Sequence, residues 1–253
     1  MQKNFSNPAL TREYLVSGLR RIGVEKGMTL EVHSSLSSFG YVEGGAQTVI
    51  AALKEADGKD GSLFMPSLRL SGGLPLSDED KRMGILRKIR ILPENRTKTA
   101  MGAVTDEFRM SPDTLTGGGV MQISGWGKHA REAVNGGLDF ALHNGGKGLL
   151  LGVDIYKLTA MHYVEMYLPE EIRAIFAPSE EVNEKYPPEE WFIETGCPPV
   201  AAWYTIQNMA LEKGVIKTDK IGGCGVMFFD LYDVVSIYEE QLMTRPFELY
   251  GLK

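Results

Sequence analysis

The chain has 253 residues, 43% hydrophobic and 24% charged, enough apolar material for a sizeable core and no disorder signature. Its 33 Asp and Glu against 27 Lys and Arg leave a formal net charge of −6, which argues against a general nucleic-acid binder and fits a neutral or cationic small substrate. There is no long apolar run, no signal-like N-terminus and no Cys-x-x-Cys around Cys197 or Cys224, so the expectation is a protein of the reducing cytoplasm with no membrane span, disulfide or zinc site.

Thr11 caps an expected helix whose apolar positions are Leu15, Val16, Leu19 and Ile22, stopped by Gly23 and Gly27. A strand follows over 28–33 and a helix over 46–56, with Val49, Ile50 and Leu53 on one face. Residues 61–66 read as a second strand, ended by Pro66. Strand, helix and strand at this spacing imply a crossover and a parallel pair.

Residues 69–95 read as an irregular insertion, a surface loop with one helix around 78–88. Further on, the pattern predicts a helix over 102–110, a strand over 120–124 and a strand over 148–153 that is apolar throughout and so buried on both faces. Thr159 is expected to cap a helix carrying Met161, His162, Val164 and Glu165. The acidic, proline-bearing stretch 169–199 predicts a strand or two; a helix over 200–214, a strand over 224–229 and a helix over 234–242 close the chain. No repeat or linker divides it, so residues 1–253 are expected to form one domain.

The standard phosphate-loop, dinucleotide and nucleophile-elbow signatures are absent, and so is His-Glu-x-x-His. His162 and Glu165 offer two ligands where catalytic zinc needs three, so no metal is expected. Two constellations remain. Val32-His33-Ser34-Ser35-Leu36-Ser37-Ser38-Phe39-Gly40 ends a strand in a run of small hydroxyl residues, which exposes backbone N–H groups to an anion or a developing oxyanion; it also reads as an ordinary Ser-rich turn. His162 and Glu165, three apart on a helix just past a buried strand, have the makings of an oriented general base, and equally of a surface His–Glu pair with no role.

Taken with Gly44-Gly45-Ala46, Gly61-Ser62-Leu63-Phe64-Met65-Pro66-Ser67, Arg96-Thr97, Met101-Gly102-Ala103, Phe108-Arg109 and Gly146-Lys147-Gly148-Leu149-Leu150-Leu151-Gly152-Val153, these stretches resemble the aminoglycoside 3-N-acetyltransferase family, whose members are antibiotic acetyltransferases outside the GNAT fold. The resemblance runs from about residue 10 to the C-terminus. It implies a single α/β domain of α/β/α type, with a mixed, largely parallel central sheet and an inserted smaller subdomain. It implies acetyl-CoA as co-substrate and a cationic aminocyclitol amine, the 3-amino group, as acceptor.

The family's histidine falls on His162, with Glu165 beside it, and the co-substrate is expected against His33, Ser34, Ser35, Leu36, Ser37, Gly40, Ser67, Arg96 and Thr97. Asp154 and Glu165 are the expected acceptor-binding carboxylates, Glu165 either orienting the base or binding an ammonium. His33 is expected to hold the serine loop by a hydrogen bond. A homodimer is a possible assembly. One departure stands out: the family's His-Pro-x-x-Ser stretch is replaced here by Gly117-Gly118-Gly119-Val120-Met121-Gln122. The competing readings are an acetyltransferase for another amine or a phosphonate-type metabolite, a non-catalytic binder of CoA or an aminoglycoside, and a serine hydrolase through Ser34 or Ser35.

Overall fold

The computed structural model describes residues 9–195 and 200–252; Cys197 lies outside them. Ten strands occur among these residues, β1 (Thr29–Ser34), β2 (Ser62–Pro66), β3 (Leu70–Gly73), β4 (Ile85–Ile91), β5 (Leu115–Thr116), β6 (Ile123–Gly127), β7 (Lys147–Leu151), β8 (Trp191–Thr195), β9 (Lys217–Ile221) and β10 (Cys224–Asp230). Seven make one sheet in the order β5-β6-β2-β1-β7-β10-β9. β2, β1 and β7 are parallel neighbours at its centre. β6 and β10 run against their neighbours, so β5 and β9 beyond them point the same way as the central three. The sheet is mixed and largely parallel by strand direction, as expected.

Period-two alternation in the central strands builds two cores. Leu30, Val32, Leu63, Met65, Leu149 and Leu151 face one side, where helices Arg12–Ile22, Gly45–Asp57 and Ala103–Met110 cover them. Phe64 and Leu150 face the other, packed among Met161, Val164, Trp203, Ile206, Val234 and Tyr238 from the 3₁₀ helix Thr159–Tyr167 and helices Val200–Glu212 and Leu231–Thr244. The first helix starts and stops as expected: Thr11 Oγ accepts from the Tyr14 amide, and Gly23, at φ 120°, closes it.

Three expectations need correction. Residues 69–95 are not an irregular loop. They form β3, the short helix Asp78–Arg82 and β4, and β8 from the acidic stretch completes a three-stranded antiparallel sheet in the order β3-β4-β8. The alternation of buried Ile85 and Ile89 was masked by the interleaved Arg87, Lys88 and Arg90. Second, Thr159 opens a 3₁₀ helix rather than capping an α-helix: Leu158 holds the cap position and has no polar side chain to offer, and the Thr159 amide donates to Glu31 instead. Third, the strand placed at 120–124 is β6, three residues further on, and it runs antiparallel.

Among the described residues, no helix is long and apolar enough to cross a membrane.

Candidate active site

β1, β2 and β7 end on the same edge of the sheet, the edge where α/β proteins place ligands. The chain after β1 turns at once into the 3₁₀ helix Leu36–Phe39. Its opening carbonyls are used: the Ser38 and Gly40 amides donate to Ser35 O and Ser37 O, and the Ser35 amide donates across to Leu151 O. The amides of Leu36 and Ser37, first in the helix, find no backbone acceptor among the described residues. Ser35 and Ser37 share a hydroxyl contact at 3.1 Å, Ser38 Oγ donates to Ser35 O, and Ser34 Oγ is buried without a partner. Gly40, at φ 86°, turns the chain out of this loop.

The chain after β7 supplies the other half. Gly152 leads to Asp154, whose Oδ1 accepts from the Tyr156 amide and whose Oδ2 accepts from Tyr204 Oη at 2.7 Å. Both Asp154 oxygens are therefore engaged in fixing the turn Ile155–Lys157 to helix Val200–Glu212.

The 3₁₀ helix Thr159–Tyr167 follows. With three residues per turn, side chains at i and i+3 eclipse, which places His162 over Glu165. His162 Nδ1 lies 2.7 Å from Glu165 Oε2, and the ring meets Trp203 edge-on at 4.9 Å. A carboxylate only accepts, so Nδ1 carries the proton and Nε2 presents its lone pair. Desolvation pulls the proton affinity of His162 down. The Glu165 hydrogen bond and the charges of Glu165, Glu31 and Glu194 outweigh it, and the imidazole titrates above its ordinary value. The side chain remains 59% exposed, open to a substrate.

The remaining sequence candidates make no hydrogen bond to this pair among the described residues. His33 does not reach the serine loop; its Nε2 bonds Glu31 Oε1 at 2.7 Å. Ser67 is buried, sharing a hydrogen bond with Ser124 Oγ at 2.7 Å. Arg96 is buried as well, its Nη2 donating to Ser67 O and to Gln122 Oε1, both at 2.6 Å. Burial and the charges of Arg109 and Arg69 lower its proton affinity. Ser67 and Arg96 thus turn inward beneath the loop edge, while Thr97 is exposed. Gln122, in the stretch that departs from the family, is the partner that locks Arg96 in place.

Sequence reasoning missed Glu31, Glu194, Trp203 and Tyr204. Glu31 carried a signal, an acidic residue between the apolar Leu30 and Val32 of a strand. Glu194 arrives from β8 in the small sheet, beside Arg87 Nη1 at 3.3 Å, and nothing in its local sequence marks it. Among the described residues no group of three or more His, Cys, Asp or Glu is placed to hold a metal ion.

A histidine oriented by a carboxylate, and two amides without backbone acceptors on the loop after β1, are groups of the kind that acyl transfer to a nucleophile uses. The family agrees: a model of the aminoglycoside 3-N-acetyltransferases matches residues 32–243, and the chain belongs to this family of acyltransferases. A prophage-derived aminoglycoside N(3')-acetyltransferase-like protein, YokD, of Bacillus subtilis is 30% identical over 93% of each chain. The structure of the aminoglycoside acetyltransferase AAC(3)-IVa in complex with a gentamicin superposes with a TM-score of 0.74 at 20% identity, over 96% of this chain and 92% of that one. AAC-IIIb in binary complex with CoASH gives 0.68 at 19% identity, over 94% and 98%. At these identities the two structures speak for the fold.

Proposed function

We propose that this protein transfers the acetyl group of acetyl-CoA to the 3-amino group of an aminoglycoside by direct attack, with His162 as general base. The observation that carries the reading is the His162–Glu165 pair, which fixes the imidazole tautomer and leaves Nε2 open. The acceptor nitrogen attacks the thioester carbonyl carbon and yields its proton to Nε2. The carbonyl oxygen becomes an oxyanion, for which the amides of Leu36 and Ser37, without backbone acceptors, are unused donors on the loop after β1. Collapse breaks the C–S bond, and the departing thiolate takes the proton from His162. No acyl-enzyme is needed.

The acetyl-CoA chain lies along His33–Ser37 in this reading, with Ser67 and Arg96 holding that edge from beneath. Glu165 and Glu194 give the acceptor side the negative charge that a polycationic amine requires. The family membership and the relatives that carry a gentamicin and CoASH support both substrates. The role is that of an antibiotic-resistance acetyltransferase.

The test is thiol release from acetyl-CoA with gentamicin, kanamycin, neomycin or apramycin. Release dependent on one of them supports the reading. A melting-temperature rise with acetyl-CoA but no release with any of the four would move the acceptor to a different amine, the reading favoured by the 117–122 departure. The absence of both release and a thermal shift would overturn acetyl transfer.

A further inference from the structure

Glu31 sits in the middle of β1, fully buried, paired in register with Phe64 of β2 and Gly148 of β7. Three donors converge on its Oε1: His33 Nε2 at 2.7 Å, the Thr159 amide at 2.9 Å and the Ala160 amide at 3.2 Å. Its Oε2 is buried with no partner among the described residues. A buried carboxylate is expensive unless fully hydrogen-bonded, and this one is only half satisfied. The first amides of a helix are ordinarily satisfied by a local Ser, Thr, Asp or Asn. Here the acceptor comes from a central strand 128 residues away, while Leu158 at the cap position contributes nothing.

That arrangement has a geometric consequence. β1 carries Glu31 at its centre and, three residues on, the start of the serine loop. The 3₁₀ helix gripped by Glu31 carries His162 three residues after Thr159. One rigid strand therefore sets both the loop that would meet the thioester and the helix that holds the base. We propose that Glu31, locked by His33, is the positioning residue that ties the His162–Glu165 segment to β1 and sets its side chain near the imidazole. The proposal rests on the reading of His162 as the base and extends it to a residue that touches neither substrate.

The charged groups around His162 are Glu165 on its own helix, Glu194 from β8 and Glu31 from β1; helix Val200–Glu212 contributes the uncharged Trp203 ring. Tyr238 and Tyr250, which feel Glu165, are both raised by burial, Tyr250 to about 12, and stay neutral at physiological pH. Removing the Glu31 charge therefore lowers the proton affinity of His162.

The experiment is an NMR titration of the His162 ring in the full chain and in Glu31→Gln, with Tm and kcat measured beside it. The variant is expected to move the midpoint down by about 0.3–1 on the pH scale, the effect of one charge behind a partly exposed ring, and to lower kcat roughly tenfold through misplacement. A folded variant whose midpoint stays in place overturns the proposal, whatever its Tm. If Glu31→Gln does not fold, Glu31→Asp keeps the charge and withdraws it by one methylene. Amide hydrogen exchange at Thr159 and Ala160 should then quicken by about tenfold or more, and unchanged exchange overturns the anchoring. Both NMR readings are independent of turnover. A shifted midpoint in a protein that acetylates nothing would refute the functional reading and leave the positioning role standing.

Discussion

His162 and Glu165 face each other at 2.7 Å because the segment that carries them is a 3₁₀ helix, in which residues three apart stand directly in line. The pair raises the proton affinity of His162, whose side chain is more than half exposed. His162→Ala is expected to lower kcat by at least about a hundredfold with acetyl-CoA affinity nearly intact, since general-base help is worth roughly 10²–10⁴. Because the imidazole titrates above its ordinary value, kcat/KM should rise with pH through a midpoint above that value. Glu165→Gln should bring the midpoint down and lower the plateau, since the amide can present a donor to Nδ1 and select the wrong tautomer. A pH–rate profile of the three proteins checks this; an unchanged kcat in His162→Ala removes the residue from the chemistry.

Glu194 reaches the site from the small sheet, next to Arg87, which also donates to Tyr156 Oη at 2.7 Å. If the acceptor amine binds here as proposed, its ammonium would compete with Arg87 for this carboxylate. Glu194→Gln is expected to raise KM for the amine by roughly tenfold, the loss of one charge-assisted hydrogen bond, and to leave KM for acetyl-CoA unchanged. Steady-state kinetics with each substrate varied separates the two, and an unaltered amine KM would take Glu194 out of acceptor binding.

Much of the architecture was legible because the central strands and first helices follow simple rules. Alternating Leu30, Val32, Leu63 and Met65 mark a sheet with two covered faces, and Thr11 and Gly23 bracket a helix by local chemistry. The His162–Glu165 pair was legible for the same reason, being three residues apart. What escaped depends on long-range contact. β4 hides its alternation under Arg87, Lys88 and Arg90, and pairs with β8 about a hundred residues downstream. The Thr159 amide is satisfied by Glu31, a partner that no local pattern announces, so Thr159 looks like a helix cap where the sheet supplies the acceptor.

Asp57, the last residue of helix Gly45–Asp57, is fully buried with neither carboxyl oxygen hydrogen-bonded among the described residues, and desolvation raises its carboxyl to about 7 against the opposing charge of Arg20. A folded-state value above the unfolded one means the native protein holds this proton longer. Its contribution to stability therefore falls as pH rises from about 4 to about 7 and stays low beyond. Asp57→Asn should be nearly neutral at pH 4 and stabilising at pH 8, by about 2 kcal/mol after the retained desolvation of the amide. Urea unfolding across that range checks it; equal midpoint changes at both ends would show that Asp57 is not protonated in the fold.

Gly152 joins the two halves of the site. Its φ is 69°, and a Cβ there would land on Ser38 Oγ, with Cys224 Sγ behind it at 3.3 Å. Gly152→Ala is expected to lose about 1–2 kcal/mol from the left-handed backbone alone, and more from displacing the serine turn. The displacement should reach function too: Ser38 Oγ holds Ser35 O, so the free amides beside it move. Chemical denaturation gives the first effect and KM for acetyl-CoA the second, and a variant with parental values for both would show that the turn yields without consequence.

The small sheet is pinned by a buried ion pair. Asp80, fully buried, accepts from Lys88 Nζ at 2.6 Å, from Tyr186 Oη at 2.5 Å and from the Ser77 amide at 2.8 Å. Burial alone would raise its carboxyl; the hydrogen bonds from Lys88, Tyr186 and Ser77 overcome that and hold it well below the usual carboxylate range. The stability it contributes is therefore present above the ordinary carboxylate value and is lost as pH falls below it. Asp80→Ala leaves Lys88 buried and unpaired and should cost about 3–5 kcal/mol at neutral pH. Adding Lys88→Met removes the stranded charge, so the double variant should be more stable than Asp80→Ala alone. Since β4 and β8 carry Arg87 and Glu194, the single variant should also raise KM for the amine. A double variant no more stable than the single would mean that Tyr186 and Ser77, not Lys88, carry the contribution of Asp80.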